Sequence, residues 1–279
     1  MKNNIKTIQK KIFTINKIYK ITKVMKLIAA INLKKALHQL SDSGNCQELV
    51  LDIFSKLNFL VLNNEVVQNV KSSQIKTKKT KLWIIFGSDL GLCGSFNTKI
   101  FKIIKKNISQ DDALILIGKK MTNYFSNFAF SILQKYLNLN FNNENISSLV
   151  AFLIKNSKNF SKISVIYTKY SKSLSINVLI KQLLPIETDQ LLNKSKILST
   201  FIIENNPQFV YQNTLFLYLK NLLLIWYWNS RASEEKTRQL AMENASDNSE
   251  DIIKDLKLKY NQFRQEKITK EILLVSQEE

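Results

Sequence analysis

Three groups of residues have types and spacings that could do chemistry. The first is Ser88-Asp89-Leu90-Gly91-Leu92-Cys93-Gly94, directly after the apolar run Leu82-Trp83-Ile84-Ile85-Phe86 and Gly87. In α/β proteins the turn after the first strand commonly holds phosphate, because backbone N–H groups and a helix N-terminus face it. Gly87, Gly91 and Gly94 do not fit GxGxxG, and neither GxxxxGKS nor GxxxxGKT occurs in the chain. The lysine that would sit on the phosphates is therefore missing. These glycines are expected to serve turn geometry, and no nucleotide or other cofactor is expected.

The second group is His38, the single histidine, which lies in a helical pattern and suits a helix surface. There is no Ser-His-Asp set, no HExxH and no paired-carboxylate signal, so neither an active site nor a metal site is expected. The third group is Arg264 and Gln265, next to Phe263, with Thr269 beyond them. As donors on a helix side they could grip an acidic loop, since a guanidinium makes forked charge-assisted bonds. They fit an ordinary solvated face equally well. The same choice applies to Lys17, Lys20, Lys23, Lys26, Lys34 and Lys35. They suit solvent, an acidic protein surface or nonspecific nucleic-acid binding. Aromatic residues do not interleave with them, which speaks against nucleic acid.

These groups must be positioned by long elements, because the chain of 279 residues has only five Gly and two Pro. Gln208 to Glu279 is free of both, and as one helix would reach roughly 108 Å at about 1.5 Å per residue. Met242, Ala245, Ser249, Ile252, Leu256, Tyr260 and Phe263 recur in steps of three and four, predicting a seam along another helix. Residues 1–43 form a second such arm, with Ile5, Ile8, Ile12, Ile15, Tyr19, Thr22, Met25, Ile28 or Ala29, and Leu33 in step. The helix is expected to pass Gly44 and reach Leu62. Two such arms most simply pair with each other, antiparallel; a helical bundle or separate coiled-coil dimers would also satisfy the pattern.

Between the arms, residues 68–81 are polar and basic and predict an exposed linker. Strands are expected at 82–86, 113–117, 162–168 and 174–184. Helices are expected at 98–107, capped by Ser95 or Asn97, and at 119–127 and 147–158. That alternation predicts a small, mostly parallel, Rossmann-like α/β domain. The fold class is thus α/β: a long antiparallel two-helix coiled coil from the terminal segments, plus this central domain. The expected boundaries are 1–62, 77–200 and 208–279.

The formal net charge is +19, which implies acidic partners. Residues 1–43 hold ten Lys against Asp42 alone, whereas 208–279 nearly balance, so the N-terminal arm is the polarised one. Cys46 and Cys93 make no CxxC and no zinc spacing, which suggests a reducing compartment. The most apolar stretch, Leu222 to Trp228, is far shorter than the ~20 residues a bilayer span needs, so no membrane insertion is expected. The N-terminus lacks both an apolar signal core and any Arg, so neither a secretory signal nor a transit peptide is expected.

Three segments together resemble the gamma subunit of F-type ATP synthase. Ile21-Thr22-Lys23-Val24-Met25-Lys26-Leu27-Ile28-Ala29-Ala30 is similar to the family's ITKAM…VAA signature. Ser88-Asp89-Leu90-Gly91-Leu92-Cys93-Gly94 with Asn97 resembles its SDRGLCGGLN, with Leu90 in place of the usual Arg and Ser95 in place of a usual Gly. Ala232-Ser233-Glu234, Ala241-Met242, Ala245, Asp247-Asn248, Leu256, Tyr260-Asn261, Arg264-Gln265, Ile268-Thr269 and Glu271-Ile272 follow its C-terminal signature.

The resemblance implies a rotor that couples turning of the membrane c ring to affinity changes at three beta-subunit sites. Its implied partners are three alpha and three beta subunits, the epsilon subunit and the c ring, with no nucleic acid. Arg264, Gln265 and Thr269 would be a catch against a beta-subunit loop, while Lys23, Met25 and Lys26 would face the beta lever loops. The implied location is peripheral, on the cytoplasmic face of a bacterial inner membrane or the matrix face of the mitochondrial one. The cysteine insert of chloroplast relatives is missing, and the chain ends in Gln277-Glu278-Glu279 rather than an apolar tip. Two readings compete with the rotor: a nucleotide-binding α/β enzyme with helical arms, and a basic coiled-coil protein for nucleic acid or scaffolding.

Overall fold

The computed structural model describes residues 2–62, 80–137, 143–173, 175–186 and 207–275. In order, the elements are α1 (Lys2–Leu62), β1 (Lys81–Phe86), α2 (Phe96–Asn107), β2 (Ala113–Ile117), α3 (Lys119–Phe125) and β3 (Ser131–Tyr136). There follow α4 (Asn143–Asn156), a 3-10 turn at Ser157–Asn159, β4 (Lys162–Lys169), β5 (Asn177–Leu184) and α5 (Pro207–Val275). The chain divides into two compact units, Met1–Ile31 with Lys236–Glu279, and Asn32–Glu235. The divisions therefore fall inside the two long helices. Most of the expected 68–81 linker, the expected domain limits at 77 and 200, and the tip at 276–279 lie outside the described residues.

In the first unit the terminal parts of α1 and α5 pack antiparallel. Gln9 Nε2 donates to Tyr260 Oη at 3.1 Å and Lys26 Nζ to Glu243 Oε1 at 2.6 Å, so the partners climb on one helix as they descend on the other. On α5 the covered positions are Met242, Ser246, Ser249, Ile253, Leu256, Tyr260, Phe263 and Lys267, a regular alternation of four and three. This corrects the expected seam at Ile252, which is 46% exposed while Ile253 is 7% exposed. Ala245 is half-buried, its place at the seam centre taken by buried Ser246. Met242, Ser249 and Leu256 are joined equally by steps of three then four or four then three; the contact takes four first, through Ser246 and Ile253 in place of Ala245 and Ile252. On α1 the stripe runs through Ile5, Ile8, Ile12, Ile15, Tyr19, Thr22, Lys26 and Ala29. Ala29, fully buried, takes the position left open between it and Ile28. Small residues at the contact let helix axes approach closely.

The second unit is built on a five-stranded sheet of order β3-β2-β1-β4-β5, parallel except for β5. The runs in β1, β2 and β4 are buried on both faces, which is why they read as continuous apolar stretches. One face (Leu82, Ile84, Phe86, Ile115, Val165, Tyr167) packs on α4 and on Leu219, Leu223, Trp226 and Tyr227 of α5. The other (Trp83, Ile85, Leu114, Leu116, Ile166) packs on α2 and α3 through Phe96, Ile100, Met121 and Phe125. Each fully buried large aliphatic or aromatic side chain stabilises by roughly 1.5–3 kcal/mol. Buried Asp112 closes the sheet's lower edge, accepting from Trp83 Nε1 at 3.0 Å and from the amides of Lys81 and Ser109 at 3.1 Å. The inner parts of α1 and α5 also meet here: Asn221 Nδ2 donates to the Ser43 carbonyl at 3.1 Å, and Phe54 stacks on Tyr218 with centroids 5.0 Å apart.

Five strands replace the four expected. The additional strand, β3, is at the sheet edge and alternates between exposed and half-buried positions, so it lacks the apolar run that marks the inner strands. Ser95 occupies the N-cap position of α2, with its carbonyl accepting from Lys99 N–H at 3.0 Å but no side-chain cap bond, and Asn97 sits inside the helix with its amide turned to Ser88 and Cys93. The helix expected at 119–127 ends at Phe125, and the one expected at 147–158 starts earlier, at Asn143.

Two glycines should respond oppositely to alanine. Gly44 lies within α1 with nothing within 4 Å of an added Cβ, so Gly44→Ala should raise stability by about 1 kcal/mol. Gly118 has φ of +109°, and a Cβ there would lie 2.7 Å from the Gly87 backbone, so Gly118→Ala should cost about 2 kcal/mol or more. Urea unfolding midpoints of the two variants check both.

Candidate functional site

The loop after β1 is the natural ligand position of this topology, and it is held by a set of internal bonds. Asp89 Oδ1 accepts the backbone N–H of Lys119, the first residue of α3, at 2.8 Å. A carboxylate at a helix N-terminus satisfies an orphan donor and the positive end of the dipole. The Ser88 carbonyl accepts the next free amide, that of Lys120, at 2.9 Å. Gly87 N–H donates to Ile117 O and Gly118 N–H to Tyr136 O, both at 2.8 Å, which ties the three strand ends together. Below the loop, Asn97 Nδ2 donates to Ser88 Oγ at 2.7 Å and approaches Cys93 Sγ at 3.4 Å. Leu92 and Gly94 have positive φ, 61° and 54°, so the chain turns sharply around the buried Cys93. The acid of the turn after β1 thus caps the helix that follows β2. Among the described residues no group of His, Cys, Asp and Glu could hold a metal ion.

Helix α5 passes the same strand ends. Tyr227 stands against Phe86 with centroids 6.0 Å apart, and burial pushes its hydroxyl up to about 12. One turn on, Arg231 binds Glu234 at 2.8 Å and Glu235 at 3.4 Å, both carboxylates being almost wholly buried. Burial alone would lower the pKa of Arg231; the charges of Glu234, Tyr227 and Glu235 outweigh it and leave it raised. Beside them the Thr168 N–H donates to Ser230 Oγ at 2.9 Å and the Tyr170 N–H to Asn229 Oδ1 at 3.2 Å. Sequence reading missed Asp89, Asn229 and Ser230 as anchors because each bonds to a backbone amide remote in sequence, which leaves no pattern.

The residues expected to meet partners lie in the first unit, on two helices. Arg264, Gln265 and Thr269 are all exposed near the end of α5. Gln265 and Thr269 share one helix face at i and i+4, while Arg264 stands about 100° around it. The Thr269 hydroxyl donates back to the Gln265 carbonyl at 3.0 Å. On α1, Lys23 is exposed with its ammonium 5.5 Å from the Tyr19 ring centre, and Met25 is half-buried. Lys26 is not on the outer face: it occupies the seam and is bound to Glu243. His38 is exposed and pairs with Asp42 at 2.9 Å, a helix-surface contact.

A doubly wound α/β domain packed on the inner parts of two long terminal helices defines the class of protein. A family model described as ATP synthase matches residues 4–276. The ATP synthase gamma chain of Mycoplasmopsis pulmonis (strain UAB CTIP) is 36% identical over 268 residues, covering 94% of each chain. That of Clostridium pasteurianum is 30% identical, covering 95% of this chain and 94% of its own. Among solved structures, a chain of the Euglena gracilis mitochondrial ATP synthase (OSCP/F1/c-ring) superposes with a TM-score of 0.66 at 16% identity. It covers 99% of this chain and 93% of its own. A chain of the Tetrahymena thermophila mitochondrial ATP synthase central stalk/c-ring gives 0.57 at 24% identity, covering 81% of this chain and 99% of its own. At those identities the two structures speak for the fold. The chain belongs to the ATP synthase gamma chain family.

The seam pair has a titration signature. Hydrogen bonding to Lys26 and its charge hold the Glu243 carboxyl below its ordinary value, and the same contact raises Lys26. A carboxyl depressed in the folded state adds stability above its unfolded pKa and loses it as pH falls through the folded one. In Lys26→Met the Glu243 carboxyl should therefore titrate closer to the ordinary carboxylate range, as read by NMR of the labelled side chain.

Proposed function

We propose that this chain is the central rotor of an F-type ATP synthase, coupling ion-driven rotation of a membrane c ring to affinity changes at the beta-subunit sites. The observation that carries this is the antiparallel pairing of the terminal helices by Gln9–Tyr260 and Lys26–Glu243, in a chain of the gamma family. A rotor of this kind does no bond chemistry. It presents different side chains to chemically identical sites at each angle, and only such differential contacts can shift which state a site prefers.

Arg264, Gln265 and Thr269 are the catch against a beta-subunit loop in this reading. Their exposure supports it, as does the forked geometry with which a guanidinium grips carboxylates. Lys23 and Met25 face the beta lever loops, with Lys23 as the outward cation. Lys26 takes part through the seam, where Glu243 holds it. The surplus of lysines over residues 1–43 suits an acidic ring. The partners are three alpha and three beta subunits, the epsilon subunit and the c ring. Among the described residues no helix is long and apolar enough to cross a membrane, which supports a peripheral position on the energised membrane's cytoplasmic or matrix face.

Expressed with its own alpha and beta subunits, the chain should co-purify as one copy per three of each. A preparation in which it binds neither subunit sinks the reading. With assembly established, the double substitution Arg264→Ala, Gln265→Ala should lower ATP-driven rotation about tenfold or more, the scale of losing one or two charge-assisted contacts. Rotation at the wild-type rate would remove the catch role from these residues.

A further inference from the structure

We infer that Asn229 and Ser230 are positioning residues that key α5 to the end of β4, so that the α/β domain and the long helix turn together without slip; this rests on the rotor reading. Strand β4 outlasts its neighbour. Its pairing with β1 ends at Ile85 and Ile166, whereas β4 continues to Lys169, still paired on its other side with β5. On the β1 side the amides of Thr168 and Tyr170 have lost a strand partner. Side chains of two consecutive helix residues replace it: Ser230 Oγ accepts from Thr168 at 2.9 Å, and Asn229 Oδ1 from Tyr170 at 3.2 Å. Amides two residues apart in a strand point the same way, and consecutive helix residues lie about 100° apart. The two bonds thus fix both height and rotation of the helix against the sheet.

The surroundings favour a joint over incidental contacts. Thr168 and Ser230 are buried, so water does not compete for the bond. The Asn229 amide is itself oriented, with Nδ2 donating to the Ile225 carbonyl at 2.9 Å and Oδ1 left facing the strand. Adjacent apolar contacts, Trp226 on Tyr167 at 5.6 Å and Tyr227 on Phe86 at 6.0 Å, resist separation of helix from sheet. Apolar burial is non-directional and permits sliding, whereas hydrogen bonds hold direction. Asn229 and Ser230 thus add directional resistance to twist at this point of the helix.

The test uses the complete ATP synthase in membrane vesicles, reading ATP-driven ion uptake against ATP hydrolysis on the same preparation. In Asn229→Ala, Ser230→Ala, uptake per ATP should fall at least threefold at unchanged subunit content, while Ser230→Thr, which keeps the hydroxyl, should match wild type. A purely stabilising role would lower assembled complex and leave that ratio alone. A double alanine variant with a wild-type ratio overturns the joint. A wild-type chain that neither assembles nor couples would bring down the rotor reading itself, a result distinct from that one.

Discussion

A long helix has one covered stripe at each level, and the residues on that stripe decide what may lie against it. On α1 the covered positions alternate in steps of three and four from Ile5 to Gln47, passing Thr22, Lys26, Ala29, Ala36 and Ser43. A repeat of that period keeps one seam turned toward a single partner over many turns. On α5 the stripe changes character along its length. It is aromatic and aliphatic at Leu219, Leu223, Trp226 and Tyr227, where it meets the sheet, and small and polar at Ser246 and Ser249, where it meets a helix. Between the larger Met242 and Ile253, these two serines let the helix axes approach closely.

Much of this was legible in the residues, and the misses have physical causes. Strands β1, β2 and β4 declare themselves because burial on both faces demands uninterrupted apolar runs. Strand β3 does not, since an edge strand half open to solvent can be Ser-Ile-Leu-Gln-Lys-Tyr. Residue type does not separate Ile252 from Ile253, and the steps through Met242, Ser249 and Leu256 admit either one, so only the packing shows that Ile253 is covered. Two helix ends, at Phe125 and Asn143, fall a few residues from their expected places.

The site was less legible than the fold. The spacing of the glycine loop departs from the phosphate-binding patterns, yet nothing in that spacing says that Asp89 caps α3. The exposed side chains of Arg264 and Gln265 could be found from type and position alone. Lys26 could not be told from its neighbours Lys20 and Lys23 by sequence; only its partner Glu243 separates a seam lysine from a surface one. Buried charges such as Glu234 and Glu235 are likewise unreadable until Arg231 is seen beside them.

The bond from Asp89 to the Lys119 amide also joins two crossovers of the sheet. The turn that leaves β1 caps the helix that follows β2, and the Ser88 carbonyl takes the next amide of that helix. A shift of α3 along its axis would therefore break bonds to a turn thirty residues away in sequence, so the end of β1 and the start of α3 move as one piece.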